Sequence, residues 1–283
     1  MATNNVTHGG NQTETLHRFL FSASLTSDVR EPVIFLSALN IFLSITAFLG
    51  NTLILFALRK ESSLHPPSKL LLRCLATTDL CVGLISQPLT VTYWLSLVQG
   101  DWDFCFAALS VTYVASYILC SVTLLTLAAI SMDRLLALLL GLRYRQVVPL
   151  KRTYATVVTF WVVPIAAGIS PIWTYQLISV WYGYIVTLLC VVTPIVSHVK
   201  IFHSLCHHIT QVRDHVQKPS QGVPLNIARY RKAVYSALWM QLAIVGCYLP
   251  YGIMGTLLNY STPSPSKFLI LEFSLTWAYF NSS

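Results

Sequence analysis

The chain has 283 residues, 55% of them apolar and 10% charged, with a formal net charge of +8. About a quarter of the residues in a soluble domain are charged, so this balance excludes a soluble globular fold and points to a chain that lies mostly in lipid.

Residues 1–31 are expected to form a tail, and residues 32–283 one all-α membrane domain. The tail lacks a basic-then-apolar start, so no cleaved signal peptide is expected and the first span directs insertion itself. A spanning helix needs roughly 20 mostly apolar residues. Seven candidates follow in order: Pro32–Leu58, Leu70–Val98, Ala107–Leu140, Thr153–Tyr175, Val180–Phe202, Ala233–Leu258 and Lys267 to the chain end. The third exceeds the bilayer thickness and is expected to tilt. Lipid admits only helices or closed barrels, and these runs have helix length, so a helical bundle is predicted. Leu64–Ser68 and Thr262–Ser266 read as tight polar connections. Gln176–Val180 reads as a very short one, and His207–Asn226 as a longer loop.

Orientation follows from the cations. Fifteen of the eighteen Lys and Arg, from Arg59 to Lys232, fall in the first, third and fifth connections or at adjoining helix ends; Arg18, Arg30 and Lys267 fall on the other side. The N-terminus is therefore expected outside, with the protein in the plasma membrane. On this reading the positive charge marks the cytoplasmic face, and nucleic acid is not an expected partner. The glycosylation sequons at Asn5, Asn11 and Asn259 all fall outside in the same topology.

Ionisable groups inside lipid are rare and usually functional. Asp79 stands midway along the second span, where a lone carboxylate costs at least ~2.5 kcal/mol. It must be protonated, paired or bound to a cation, and a neutral hydrogen-bonded core acid is one open reading. Asn51 in the first span needs helix–helix partners, a structural role. Asp133-Arg134 lies at the inner end of the third span; taken alone, such a pair reads as charges snorkelling at a helix end.

The run Ile130-Ser131-Met132-Asp133-Arg134-Leu135, with Asn51, Asp79, Trp161 and Pro250 at matching spacings, resembles the rhodopsin-like (class A) G-protein-coupled receptors. The resemblance implies a seven-helix receptor that passes binding of an extracellular ligand to a heterotrimeric G protein. It assigns the activation switch to Asp133, Arg134, His198, Tyr248 and Pro250. Arg134 would be held by Asp133 at rest and released on activation, and Leu142–Arg145 resembles the second cytoplasmic loop. In the fifth helix one register matches His198 to the usual tyrosine and Cys190 to the usual proline; a rival equates Pro194 with that proline. Tyr248 replaces the usual tryptophan, and Pro250 is the hinge. No acid occurs from Leu225 to Tyr235 to restrain Arg134, so basal signalling is expected. The resemblance also implies a sodium ion at Asp79, Thr123, Asn281 and Ser282, hard oxygen ligands; no other metal or cofactor is expected.

The chain departs from the pattern in places. The usual outer cysteine of the third helix is Leu109 here, and no partner cysteine is present, so no disulfide is expected; such a bridge contributes ~2–4 kcal/mol. Cys105 is then a free thiol or an intermolecular partner. These features resemble the melanocortin, cannabinoid and lysophospholipid branch, with adenosine receptors nearby. Asn281-Ser282-Ser283 matches the residues before the family's Asn-Pro-x-x-Tyr motif, and the sequence then stops, so the seventh helix is expected to be incomplete. A non-signalling fragment acting through receptor oligomers is accordingly the rival reading. The expected ligand pocket comprises Thr112, Ser116, Tyr117, Cys120, Tyr248, Tyr251, Leu275 and Tyr279. Ser116 stands where amine receptors carry an acid, so a biogenic amine is not expected; aromatic rows of this kind are more often packing than binding sites. No catalytic constellation such as HExxH or GxSxG occurs, so an enzyme is not predicted. A secondary transporter, a remote alternative, would need internal repeats or more buried charge.

Overall fold

The computed structural model describes residues 23–62, 64–140, 143–170, 176–215, 246–254 and 264–283, and among them no strand occurs. The elements are α1 (Ala23–Lys60), α2 (Pro66–Cys81), a π-helical turn (Val82–Ser86), α3 (Gln87–Gln99) and α4 (Trp102–Leu140), then α5 (Tyr144–Val147), α6 (Leu150–Ile169) and α7 (Gln176–His215). A helical segment α8 (246–254), α9 (Pro265–Tyr279) and a 3-10 turn (Phe280–Ser282) complete them. Among the described residues, five helical stretches are long and apolar enough to cross a membrane: Val29–Lys60, Pro66–Gln99, Trp102–Ala137, Leu150–Ile169 and Val180–Ile201. Asn5, Asn11, Asn259 and the stretch from Leu225 to Tyr235 lie outside the described residues.

Several expected connections are helical. Pro66, Pro67 and Ser68 form the first turn of α2, because a proline at the first helical position gives up only an N–H that has no intrahelical acceptor. Pro265 begins α9 in the same way, with Ser264 as N-cap accepting the Lys267 N–H at 3.4 Å. Gln176–Val180, expected as a connection, is the first turn of α7, which also continues through His207 to His215.

The chain divides into two compact units: Met1–Asn51, Asp79–Ser116 and Cys247–Ser283 form one, and Thr52–Thr78 with Tyr117–Gly246 the other. In the first, α1 buries Val29, Val33, Leu36, Asn40, Leu43, Ala47 and Asn51. That spacing of three and four residues is one helical face. Val29, Val33 and Leu36 pack with Tyr93, Trp94, Leu97, Cys105, Ala108 and Phe268 into the core of the unit. The opposite face exposes Phe35, Phe42 and Phe48, as a helix bathed in lipid requires. The second unit has a smaller core of Ala128, Val186 and Cys190.

The π turn follows from Pro88. There the Gln87 N–H bonds the Val82 carbonyl five residues back. In that register the next N–H would serve Gly83, but a proline has none. Ser44 on α1 supplies the missing donor, its Oγ donating to the Gly83 carbonyl at 2.7 Å. The approach is close: a Cβ on Gly83 would lie 2.9 Å from the Ala47 Cβ and 3.2 Å from the Ser44 carbonyl oxygen. Gly100 ends α3 at φ 75°, its N–H bonding the Ser96 and Leu97 carbonyls. Asp101 then caps α4, its Oδ1 accepting the Phe104 N–H at 3.3 Å.

Substituting Gly83→Val should destabilise the protein by about 1–3 kcal/mol through overpacking, lowering the midpoint of thermal unfolding in detergent. A Cβ on Gly50 would meet only the Ser283 carbonyl oxygen at 3.8 Å, so Gly50→Ala should leave the midpoint within the small range of neutral substitutions. Equal midpoints for the two variants would remove the close-approach argument.

Candidate functional site

In the unit containing α5 and α6, the end of α4 holds the Asp133-Arg134 pair. Asp133 is 5% exposed. Its carboxylate accepts from Ser68 Oγ at 2.7 Å and from the Tyr144 hydroxyl, and those two hydroxyls are 3.5 Å apart. Ser68 is present because α2 starts two residues before it. Tyr144 is present because α4 ends at Leu140 and α5 begins at Tyr144. The His65 ring packs edge-on against Tyr144 at 4.9 Å. Burial, reinforced by the bond to Asp133, pushes the Tyr144 phenol up to about 12, so it remains a proton donor at physiological pH. Arg134, one residue on, is exposed, and its charge acts on the Tyr144 phenol. The expected hold of Asp133 on Arg134 is not what the structure has: two hydroxyls occupy the carboxylate instead, because they are buried beside it and need acceptors.

In the other unit, Asn51 Nδ2 donates to the Ala47 carbonyl at 3.0 Å and to the Ser282 carbonyl at 2.8 Å. The Ser282 Oγ donates to Asp79 Oδ1 at 2.8 Å. The first, second and seventh spans are thus tied through Ser282, the bracing role expected of Asn51. Asp79 is 6% exposed, while Asn281 is half-buried. Among the sodium residues, Asp79 and Ser282 are brought into contact. Thr123 belongs to the other unit, where its buried hydroxyl has no protein partner.

Of the expected pocket residues, Ser116 and Tyr279 meet: the Tyr279 hydroxyl lies 2.8 Å from Ser116 Oγ and 3.1 Å from Thr90 Oγ1. Ser116 Oγ also donates to Ser86 Oγ at 3.4 Å. Thr112 and Leu275 are buried in the same unit, Tyr248 is buried on α8, and Tyr251 and Pro250 are half-buried. Tyr117 and Cys120 fall in the second unit, where the Tyr117 ring lies 6.2 Å from that of Tyr182. His198 is helical, on α7. Cys105 is buried and unbridged in the apolar core beside Trp94.

The sequence reading passes over a row of polar residues in the first unit. Ser86, Gln87, Thr90 and Trp94 share one face of the second span and are all buried. Asn40 on α1 donates to Thr276 Oγ1 on α9 at 3.0 Å. Glu272 is buried one turn before Thr276, beside Trp94. The Trp94 indole faces the Glu272 carboxyl, while the Asn40 Oδ1, both amide atoms of Gln87 and the Thr112 hydroxyl are buried without a protein partner. Glu272 had a signal, since it is the lone acid in the apolar run from Lys267 to Phe280. Gln87 and Trp94 had none: their burial depends on which face of the span turns inward.

Comparison with known proteins accords with this architecture. The model for the seven-transmembrane receptors of the rhodopsin family matches residues 50–283. The adenosine receptor A2b of Rattus norvegicus is 30% identical over 136 residues, 47% of this chain and 39% of that protein. The adenosine receptor A2b of Homo sapiens is 28% identical over 134 residues, again 47% and 39%. The adenosine receptor A3 of Ovis aries is 22% identical over 259 residues, 84% of this chain and 80% of that one. The matches to the A2b receptors thus span about two fifths of those receptors' length. With the helices, the buried Asp79–Ser282–Asn51 junction and the Asp133-Arg134 pair in place, the chain belongs to the rhodopsin family of seven-transmembrane receptors.

Proposed function

We propose that the protein transmits binding of an extracellular ligand to a heterotrimeric G protein, from the plasma membrane, with its N-terminus outside. The observation that carries this reading is the end of α4: Asp133 is occupied by Ser68 and Tyr144, and Arg134 is exposed. An arginine without a carboxylate partner offers five N–H donors to a partner protein. A buried carboxylate that already has two donors has no need of it. Ser68 and Tyr144 therefore favour the state in which Arg134 is available.

The ligand is read from the first unit. Donors and acceptors at Asn40, Gln87 and Thr112, with the Ser116–Tyr279–Thr90 hydroxyls and the Glu272–Trp94 pair, suit a small ligand rich in hydrogen-bonding groups. An apolar guest would leave those groups unpaired, at about 1–3 kcal/mol each. The relatives are named as adenosine receptors. Gly255 of this chain stands where an adenosine-recognising asparagine would be, which argues against adenosine here. Asp79 and Ser282 supply oxygens of the type that sodium takes, with Asn281 adjacent in sequence.

In cells expressing the chain at matched surface levels, Arg134→Ala should reduce G-protein nucleotide exchange to background. Tyr144→Phe should lower it about tenfold, since losing a hydrogen bond to a charged group is worth ~1.5 kcal/mol and frees Asp133 to bind Arg134. Exchange that survives Arg134→Ala, or rises with Tyr144→Phe, would contradict the coupling reading.

Enzymatic deglycosylation should lower the apparent mass of the expressed protein, and changing Asn5, Asn11 and Asn259 together to Gln should abolish that shift. A mass insensitive to both would count against the outside placement. Replacing choline by sodium at about 0.15 M, the physiological ionic strength, should raise the thermal midpoint of the native chain, because a ligand bound only by the folded state stabilises it. The Asp79→Asn variant should show no such rise; an equal rise in both would remove the sodium ion from Asp79.

A further inference from the structure

In the first unit, most hydroxyl and amide protons of the buried polar row are engaged within the protein. Thr276 Oγ1 donates to the Glu272 carbonyl at 3.0 Å, and Thr90 Oγ1 to the Ser86 carbonyl at 2.8 Å. The Tyr279 and Ser116 hydroxyl protons are used among Tyr279, Ser116, Thr90 and Ser86. The Asn40 amide nitrogen donates to the Leu36 carbonyl at 3.3 Å and to Thr276 Oγ1 at 3.0 Å, so both of its protons are engaged. What remains is mostly acceptors. Asn40 Oδ1, Gln87 Oε1 and the Glu272 carboxyl stand against the Gln87 amide nitrogen and the Thr112 hydroxyl.

These groups lie on four helix faces that meet. Gln87, Thr90 and Trp94 follow one another at three and four residues, Thr112 and Ser116 at four, and Glu272, Thr276 and Tyr279 at four and three. Such spacings put each set on one face of its helix. The Tyr279 hydroxyl joins α9 to Thr90 and Ser116, and the Asn40–Thr276 bond joins it to α1. Glu272 is 6% exposed; its carboxyl faces the Trp94 indole and its charge acts on the Tyr93 phenol. Among the described residues no cation faces it. One indole N–H occupies one of about four lone-pair sites on a carboxylate, and a buried charge calls for a counter-charge.

We propose that the ligand carries a planar cation with several N–H donors, an amidinium or guanidinium, with Glu272 as its counter-ion and Asn40 Oδ1 and Gln87 Oε1 accepting further N–H groups. The inference rests on the ligand reading given above and names the ligand's class. A planar cation of this kind holds its donors in a fixed fork that matches a carboxylate and leaves N–H groups for other acceptors. A neutral ligand leaves the Glu272 charge unmatched, and an anion is repelled by it. The acid that Ser116 does not supply on α4 is thus supplied by α9.

The test uses the full chain in detergent, with benzamidinium and its neutral isostere benzamide as probes. Benzamidinium should raise the thermal midpoint and benzamide should not. Glu272→Gln keeps the side chain's shape and removes its charge; it should bind benzamidinium about tenfold more weakly, the worth of a hydrogen bond to a charged group. Glu272→Asp keeps the charge and should bind it more tightly than the Gln variant, which separates lost charge from lost fold. Asp103→Asn removes an exposed acid in the same unit and should have no effect; an equal loss there would reduce the effect to bulk attraction and overturn the proposal. Nα-acetylarginine methylamide presents the same group as a peptide side chain does. Tighter binding by one of the two cations would support the class and identify the source, a small molecule or a peptide. Both cations binding no better than benzamide would overturn it. Binding is read without G protein, so stabilisation without nucleotide exchange would uphold the cation site and fail the coupling reading alone.

Discussion

A polar group inside a bilayer has no water to turn to, so every buried donor and acceptor must find its partner within the chain. That constraint explains why so few polar residues hold so much of this structure. Ser282 illustrates it. Its carbonyl takes the Asn51 amide and its hydroxyl serves Asp79, so one small residue near the chain end links three spans. Ser44 does similar work for the π turn, whose geometry Pro88 has left one donor short. Remove water from the surroundings and these single bonds become the means by which apolar helices take a specific register, since apolar contact with a neighbouring helix differs little from contact with lipid.

The same constraint applied at the end of α4 separates two adjacent charges. Asp133 is buried and has Ser68 and Tyr144; Arg134 is exposed. The residues that produce this arrangement come from sequence positions with little to recommend them. Ser68 follows two prolines in what reads as a loop. Tyr144 sits in a short basic stretch. The tyrosine's phenol keeps its proton because burial and the neighbouring carboxylate both oppose ionisation. It is a lasting donor and no titrating switch near neutral pH.

The first unit shows the opposite condition, buried polar groups in excess of their partners. In a native interior such groups are few and each calls for a reason. Here they gather on the inward faces of three spans, together with a buried acid at Glu272. A recognition surface has this property, because what it recognises supplies the other half of each hydrogen bond.

The sequence by itself determined the helical membrane class, five spans among the described residues and the family, and it singled out Asn51, Asp79 and Asp133-Arg134 as polar groups that need an explanation. Apolar run length and charge in lipid are properties of the chain alone, and the energetic penalties that make them legible are large. Helix starts were less legible, because a proline reads as a break while in Pro66 and Pro265 it begins the next helix. What only the tertiary structure decided is the pairing. Asp133 to Ser68 joins residues 65 apart, Asp79 to Ser282 residues 203 apart, and Asn40 to Thr276 residues 236 apart. Gln87, Trp94 and Glu272 join the buried polar row only once their faces turn inward. A hydrogen bond depends on distance and angle, and neither is fixed until the helices have chosen which faces to bury.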